Sequence, residues 1–428
     1  MFNLRIITKK MKRTVLLLIV FVSLYNLSAQ DFNVEIPEYK WINYKSNHIQ
    51  IPGNDSTRLN AFFQKFDSLF ISKTGRLNIL HIGGSHVQAD MLSNQVRRNL
   101  DKINGDFRPS RGYIFPYTVA KTNNPNNYSI QYKGKWNSAR NVQKKREIPL
   151  GVGGIAVYTN DPVAEITVQL NTDEFDKRWD FDALKLIGYA ESDSPTVRPV
   201  LRYNDSIQIE AEHDPDSKIY LFSLPELSDS FTVCFVQENS IPQKFVLDGF
   251  IPQKNEEGVV YHAIGVNGAS VTSYLDSENF EDELYLIAPD LVIFAIGIND
   301  ATGRDFTEKS FIDNYNELIK KVERVSPDCA FLFITNNDSF KRIARRRYSV
   351  NRNGPIAQKA FFNLAKQHQG GVWDLFNIMG GLSSMQQWEK AGLAKIDKIH
   401  FTQKGYSLIG DLLYNALINY SIHNPAEQ

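Results

Sequence analysis

Apolar positions along the chain recur with two different periods. In "TRLNAFFQKFDSLF", Leu59, Phe62, Phe63, Phe66, Leu69 and Phe70 fall at helical spacing, with Asp55 or Ser56 placed to cap the helix. "LNILHIG" follows as a short, nearly all-apolar run, the pattern of a strand buried on both faces in a parallel sheet. "ADMLSNQVRRNLDKI" then returns to the helical period, so residues 77–103 read as strand, turn and helix. From about residue 128 to 260 the texture changes to short alternating runs such as "AEITVQL", "LKLIGYA", "IYLFSL" and "SFTVCFV", separated by Asp, Asn, Pro and Ser clusters. That spacing predicts an antiparallel sandwich of jelly-roll type. Strand and helix periods resume at "VVYHAIGVNGASVTSYL" and alternate through "PDLVIFAIGIND", "SFIDNYNELIKKVERV", "CAFLFITNND", "PIAQKAFFNLAKQHQ", "GGVWDLF" and the closing "FTQKGYSLIGDLLYNALINYSI". The expected fold class is α/β, a doubly wound parallel sheet interrupted after its first unit by a β-sandwich insertion. The boundaries fall at 30–127 and 261–428 for the two α/β portions and at 128–260 for the insertion.

The remaining segments add less to the core. Residues 30–58 are polar and contain proline, and read as an extended lead-in. Ahead of them, "MKRTVLLLIVFVSLYNLSAQ" sets Lys12 and Arg13 before an apolar run from Val15 to Val22 and closes on small residues. This is the pattern of an export signal over residues 1–29, cleaved after Ala29 and complete from Met11 onward. The run is shorter than the ~20 residues a membrane span needs, so a stable membrane insertion is not expected. Localisation would then be periplasmic or secreted.

Composition narrows the function classes. Forty-eight basic residues balance forty-eight acidic ones, and this neutrality gives no footing for nucleic-acid binding. Only two cysteines, Cys234 and Cys329, occur in 428 residues, and they fall in different predicted domains, so disulfides are not the expected framework. The eight histidines are scattered without paired zinc spacing, so neither a metal nor another cofactor is expected. "GVGGIAV" at Gly151 precedes no helix and fails the context of a nucleotide loop, which leaves a turn.

Ligands of open parallel sheets bind at the carboxyl ends of the strands. There the chain carries "GGSH", "GVNGAS", "GIND" and "TNND", and before the last helix "DKIH". A serine nucleophile needs a base, and the base needs a group that holds its tautomer. Asp397 and His400, three residues apart, can serve Ser85 in those roles. An oxyanion also needs donors, which Asn299 and the backbone of Gly268 can supply.

In these residues the chain resembles the SGNH hydrolase superfamily, also called GDSL-type esterases. Its four ordered blocks match "GGSH", "NGAS", "GIND" and "DKIHFTQKGY", all within the two α/β portions. The resemblance implies a flavodoxin-like three-layer fold, Ser85 as nucleophile, His400 as general base and then acid, and Asp397 as the residue orienting it. It also implies an oxyanion hole from the Ser85 amide, the Gly268 amide and the Asn299 side chain. The family usually has aspartate before the serine, where this chain has Gly84, a departure that bears on rate more than on fold. The inserted β-domain is similar in architecture to that of bacterial peptidoglycan O-acetylesterases, which carry a carbohydrate-binding-like module inside the hydrolase domain.

The expectation is an exported serine esterase whose partner is an O-acylated, chiefly O-acetylated, glycan. A lipase or thioesterase, a non-catalytic glycan-binding protein and an acetyl transferase are the alternatives. His86, Asn336, Asn337 and Asp338 are candidate substrate contacts beside the strand ends. Asp300 reads as a turn or cap residue. The arginines of "DSFKRIARRRYSVNRN" would lie on a loop near the mouth of the site, as a solvated charged face or as an anion contact. Trp136, Trp179 and Tyr203 could stack on sugars, with core packing the default for each.

Overall fold

The computed structural model of the chain describes residues 32–423 except 73, 105–109, 173–178, 193–195, 204–206, 215–217, 239–240 and 346. The signal segment expected at residues 1–29 lies outside the described residues. Six strands form the central sheet: β1 (Ile49–Gln50), β2 (Arg76–Gly83), β3 (Gly258–Gly265), β4 (Leu291–Ala295), β5 (Ala330–Ile334) and β6 (Gly371–Trp373). Their spatial order is β1-β6-β5-β4-β2-β3. The pairings among β2 to β6 are all parallel, and β1 pairs antiparallel with β6. The five parallel strands therefore run in the flavodoxin-like order 2-1-3-4-5, with the direction of winding reversing between β2 and β4. A crevice for a ligand belongs at the carboxyl ends of that pair.

Alternation along each strand divides the core. Leu77 and Ile79 of β2, Leu291 and Ile293 of β4 and Leu332 of β5 pack on one side with α1 (Thr57–Ser72), α3 (Met91–Asn104) and α6 (Gln403–His423). Leu80, Ile82, Val292, Phe294, Phe331 and Phe333 face the other way, against α4 (Glu308–Val325) and α5 (Gly354–Gln367). In α4 the buried residues Phe311, Tyr315, Leu318, Ile319 and Val322 form one stripe. Burying each such side chain contributes roughly 1.5–3 kcal/mol before entropy is counted. Thr307 starts α4 by accepting the Ser310 amide at 3.1 Å.

Between β2 and β3 lie two antiparallel sheets, one of six strands and one of five. The strand Ser230–Gln237 sits centrally in the second and Phe245–Gln253 in the first. Their rings meet, with Phe231 and Phe250 centroids 5.0 Å apart and Phe235 and Phe245 also 5.0 Å apart. This apolar cluster is continuous with the α4 side of the parallel sheet. The antiparallel region is thus packed onto the α/β layers.

The lead-in and the arginine-rich segment depart from expectation, while the three aromatic residues of the antiparallel region follow the core-packing default. The polar lead-in contributes β1 as an edge strand and the buried Ile42 and Ile49 to the core. A two-residue strand is too short for any period to announce it. Trp136 and Trp179 are each 8% exposed and packed inside the antiparallel region, so neither offers a face to a sugar. Tyr203 also packs against that cluster, with its hydroxyl 3.4 Å from the Glu226 carboxylate. The arginine-rich segment forms a two-stranded hairpin, Phe340–Ala344 paired with Arg347–Val350, in place of a loop.

Candidate active site

At the end of β2 the chain turns at once into the short helix α2 (Ser85–Gln88), which Ser85 opens. The helix lies so close to β3 that a Cβ on Gly265 would stand 2.3 Å from the Gln88 backbone nitrogen, so only glycine admits it. Gly84 is different. A Cβ there would meet the Ala269 carbonyl and Asn299 Nδ2 at 3.5 Å, an ordinary contact.

Three side chains converge on this turn, Ser85 meeting His400 from 315 residues away and Asp397 lying three residues before that histidine. Ser85 Oγ lies 2.8 Å from His400 Nε2. His400 Nδ1 lies 2.9 Å from Asp397 Oδ2, while Asp397 Oδ1 accepts the amides of Ile399 at 2.9 Å and His400 at 3.0 Å. Lys398, at φ 56°, makes the tight turn over which the carboxylate folds back on those amides. Partial burial alone would raise the Asp397 carboxyl. The bonds from the His400 ring and from the two amides outweigh it and hold the group well below the usual carboxylate range. An ionised Asp397 fixes the proton on Nδ1 and leaves Nε2 as the acceptor facing Ser85.

Beside this row stand the donors. Asn299 sits in the helix Ile298–Thr302 after β4, and its Nδ2 donates to the Ala269 carbonyl at 2.8 Å. An amide nitrogen carries a second hydrogen for a ligand. Gly268 follows β3 with φ +85°, a left-handed conformation natural to glycine, and is exposed. Asp300 accepts the Val271 amide at 3.2 Å and so joins the loops after β3 and β4. Burial, opposed by that amide, pushes its carboxyl up to about 6.

Two positioning groups were not singled out in the sequence. Gln88 Oε1 accepts the Asn267 amide at 2.7 Å, and its Nε2 donates to the Asn123 carbonyl at 2.9 Å, fastening the loop that presents Gly268. The buried Asp90 closes the far end of α2 by pairing with Arg97 at 2.8 Å and Arg111 at 2.5 Å. Position three residues after Ser85 on the same short helix was the one signal that could have drawn attention to Gln88.

The candidate substrate contacts divide. His86, Asn336 and Asn337 line one cavity of about 40 Å³ together with Val87, Phe401 and Tyr406. His86 Nδ1 lies 2.8 Å from the Tyr406 hydroxyl, and its ring stands 5.2 Å from that of His400. Burial first, and then the nearby His400, pushes the His86 imidazole down to about 3, so it stays neutral. Asn337 Nδ2 donates to the Ile399 carbonyl at 3.0 Å, tying the end of β5 to the loop that carries Asp397 and His400. Asp338 departs from expectation: it is fully buried, and its Oδ2 accepts the Met385 amide at 3.0 Å. Its carboxylate holds the start of the helix Met385–Lys390 and does not face solvent. Among the described residues no group of three or more His, Cys, Asp or Glu is set to hold a metal ion. No described helix is long and apolar enough to cross a membrane.

The GDSL-like lipase/acylhydrolase family model matches residues 229–408, which contain Gly268, Asn299, Asp397 and His400 and leave out Ser85 on the far side of the antiparallel strands. In that stretch the chain is similar to the GDSL-like lipase/acylhydrolase family. The fold as a whole is similar to a solved peptidoglycan O-acetylesterase, at a TM-score of 0.69 and 20% identity over 87% of this chain and 99% of that one. A lipase/acylhydrolase from Enterococcus faecalis also matches, with 23% identity and a TM-score of 0.30 over 38% of this chain and 78% of its own. An acetyl xylan esterase matches 37% of this chain and 81% of its own at 17% identity and a TM-score of 0.30. No curated protein matches by sequence.

Proposed function

We propose that the protein is an exported carbohydrate O-acetylesterase, acting on O-acetyl groups of peptidoglycan or a related polysaccharide through an acyl-enzyme on Ser85. The observation that carries this reading is the unbroken row Ser85 Oγ, His400, Asp397, at 2.8 and 2.9 Å, at the reversal point of the sheet. In the first step Ser85 Oγ attacks the acyl carbonyl as His400 Nε2 takes its proton. The carbonyl oxygen becomes an oxyanion that accepts from the Ser85 amide, the Gly268 amide and Asn299 Nδ2. As the intermediate collapses and the acyl C–O bond breaks, His400 gives its proton to the departing sugar oxygen, which leaves as a hydroxyl. Water, activated by the same imidazole, attacks the acyl-serine and releases the acid. Asp397 stays ionised throughout and stabilises the imidazolium.

The domain reading belongs to the same proposal. Residues 128–260 would be a sandwich insertion that presents a glycan to a hydrolase built from 30–127 and 261–428. Its support is the full-length similarity to a peptidoglycan O-acetylesterase together with the two facing antiparallel sheets.

The test is turnover of a short-chain aryl acetate and of an aryl octanoate by the purified mature chain, with Ser85→Ala as control. The reading expects acetate turnover that the substitution removes, and octanoate turnover well below it. Faster octanoate turnover would move the assignment to a lipase.

A further inference from the structure

The hairpin Phe340–Val350 is not used by the chemistry above, yet it is built from the site outward. At one root, the Phe340 amide donates to the Lys398 carbonyl at 3.1 Å, on the residue between Asp397 and Ile399. At the other, Asn353 Nδ2 donates to the Ala301 carbonyl at 2.9 Å, two residues beyond Asn299. The hairpin thus springs from the loop of the general base on one side and from the helix of the oxyanion donor on the other.

Its charge is one-sided. In a chain whose charges balance, residues 340–353 hold six basic residues and no acidic one. Arg342, Arg345 and Arg347 are exposed, and Ile343 near the tip is 59% exposed. Among the described residues, none of these three arginines pairs with a carboxylate, whereas Arg58, Arg198 and Arg324 elsewhere all do. Charge at an exposed hairpin edge also guards against strand addition, a role that does not require a place beside the reaction site. A single sign left unpaired beside a reaction site is an electrostatic complement to an anionic partner. Guanidinium groups bind carboxylates as planar forks.

We propose that this hairpin is an anion-recognising arm that holds carboxylate-bearing glycan chains across the mouth of the esterase site. The inference rests on the esterase reading and adds to it the substrate class, an acetylated polymer with acidic groups near the ester.

The test compares parent and the triple variant Arg342→Gln, Arg345→Gln, Arg347→Gln on three substrates: an aryl acetate, neutral acetylated xylan and O-acetylated peptidoglycan. For peptidoglycan the variant's half-saturating concentration should rise about tenfold, and the parent's sensitivity to added salt should disappear. Turnover of the aryl acetate and of the xylan should stay within about twofold of the parent. An equal loss on both polymers, or no loss on peptidoglycan, would overturn the proposal. So would salt-sensitive binding to phosphatidylglycerol vesicles that the variant loses while peptidoglycan turnover is unchanged, since that result assigns the arm to a membrane surface. Cosedimentation of Ser85→Ala protein with peptidoglycan, with and without the three arginines, reads the arm independently of catalysis. Failure of the esterase reading on the aryl acetate is thereby distinguishable from failure of the arm.

Discussion

Asp397 illustrates how much at this site depends on single hydrogen bonds. Its carboxylate receives three, from the His400 ring and from the amides of Ile399 and His400. Because these keep it ionised, Asp397→Asn removes the acceptor that fixes the imidazole tautomer. The expected result is a fall in kcat of about 10⁴-fold with KM little changed, measured by steady-state turnover of an aryl acetate. A loss under about tenfold would deny Asp397 its orienting role. Ser85 and Asn299 stood out in the sequence as polar residues at strand ends, where packing asks for none, and Asp397 and His400 as an acid and an imidazole three residues apart before the last helix. Asp338 was misread for the same reason: it too follows a strand, but its work is inside the protein. Nothing in one sequence tells a polar residue that faces a crevice from one that caps a buried helix.

At the scale of elements, the site is a set of loops fastened to each other. Gln88 reaches the Asn267 amide across 179 residues, and Asn337 reaches the Ile399 carbonyl across 62. Such links have no sequence period, which is why both residues' anchoring roles escaped the reading while the helices and buried strands that carry them did not. The hairpin at 340–350 escaped for a related reason, since its run of arginines hides the alternation by which strands are recognised. Asn337→Ala frees the loop bearing Asp397 and His400. It should lower kcat on the order of tenfold to a hundredfold, as displacement of a catalytic group by about an ångström does. Asn337→Asp, which keeps the size but has no N–H to donate when ionised, should fall with it. Wild-type kcat in both variants would show the tie to be dispensable.

Over the whole molecule, one apolar cluster runs from the parallel sheet into the antiparallel region, and a buried acid pair marks the join. Asp248 on the strand Phe245–Gln253 and Glu283 on the helix Phe280–Ile287 are each 1% exposed and close enough for the charge of Asp248 to act on Glu283. Glu283 also accepts the Val152 amide at 3.1 Å. Burial dominates and pushes Asp248 up to about 7 against the opposing charge of Lys218, while burial and then the charge of Asp248 raise Glu283 well above its ordinary value. A carboxyl raised in the folded state binds its proton more tightly there than in the unfolded chain. Its stabilisation is complete below the ordinary carboxylate range and is lost as pH rises through the folded value. Urea unfolding should therefore show stability falling as pH rises toward 7 and beyond, by up to about 1.4 kcal/mol per pH unit for each proton released. Asp248→Asn should flatten that fall, and an unaltered slope would mean the pair does not control it. The fold's two textures were legible from hydrophobic period alone, but this join was not, because it depends on tertiary burial of two ordinary acidic residues. The central claim is that Ser85 removes acetyl groups from a glycan. The most direct measurement is acetate released from O-acetylated peptidoglycan by the mature chain and by its Ser85→Ala variant under identical conditions. Release by the parent and none by the variant is the result this account predicts. Equal release by both, or none by a parent that also leaves aryl acetate untouched, would contradict it.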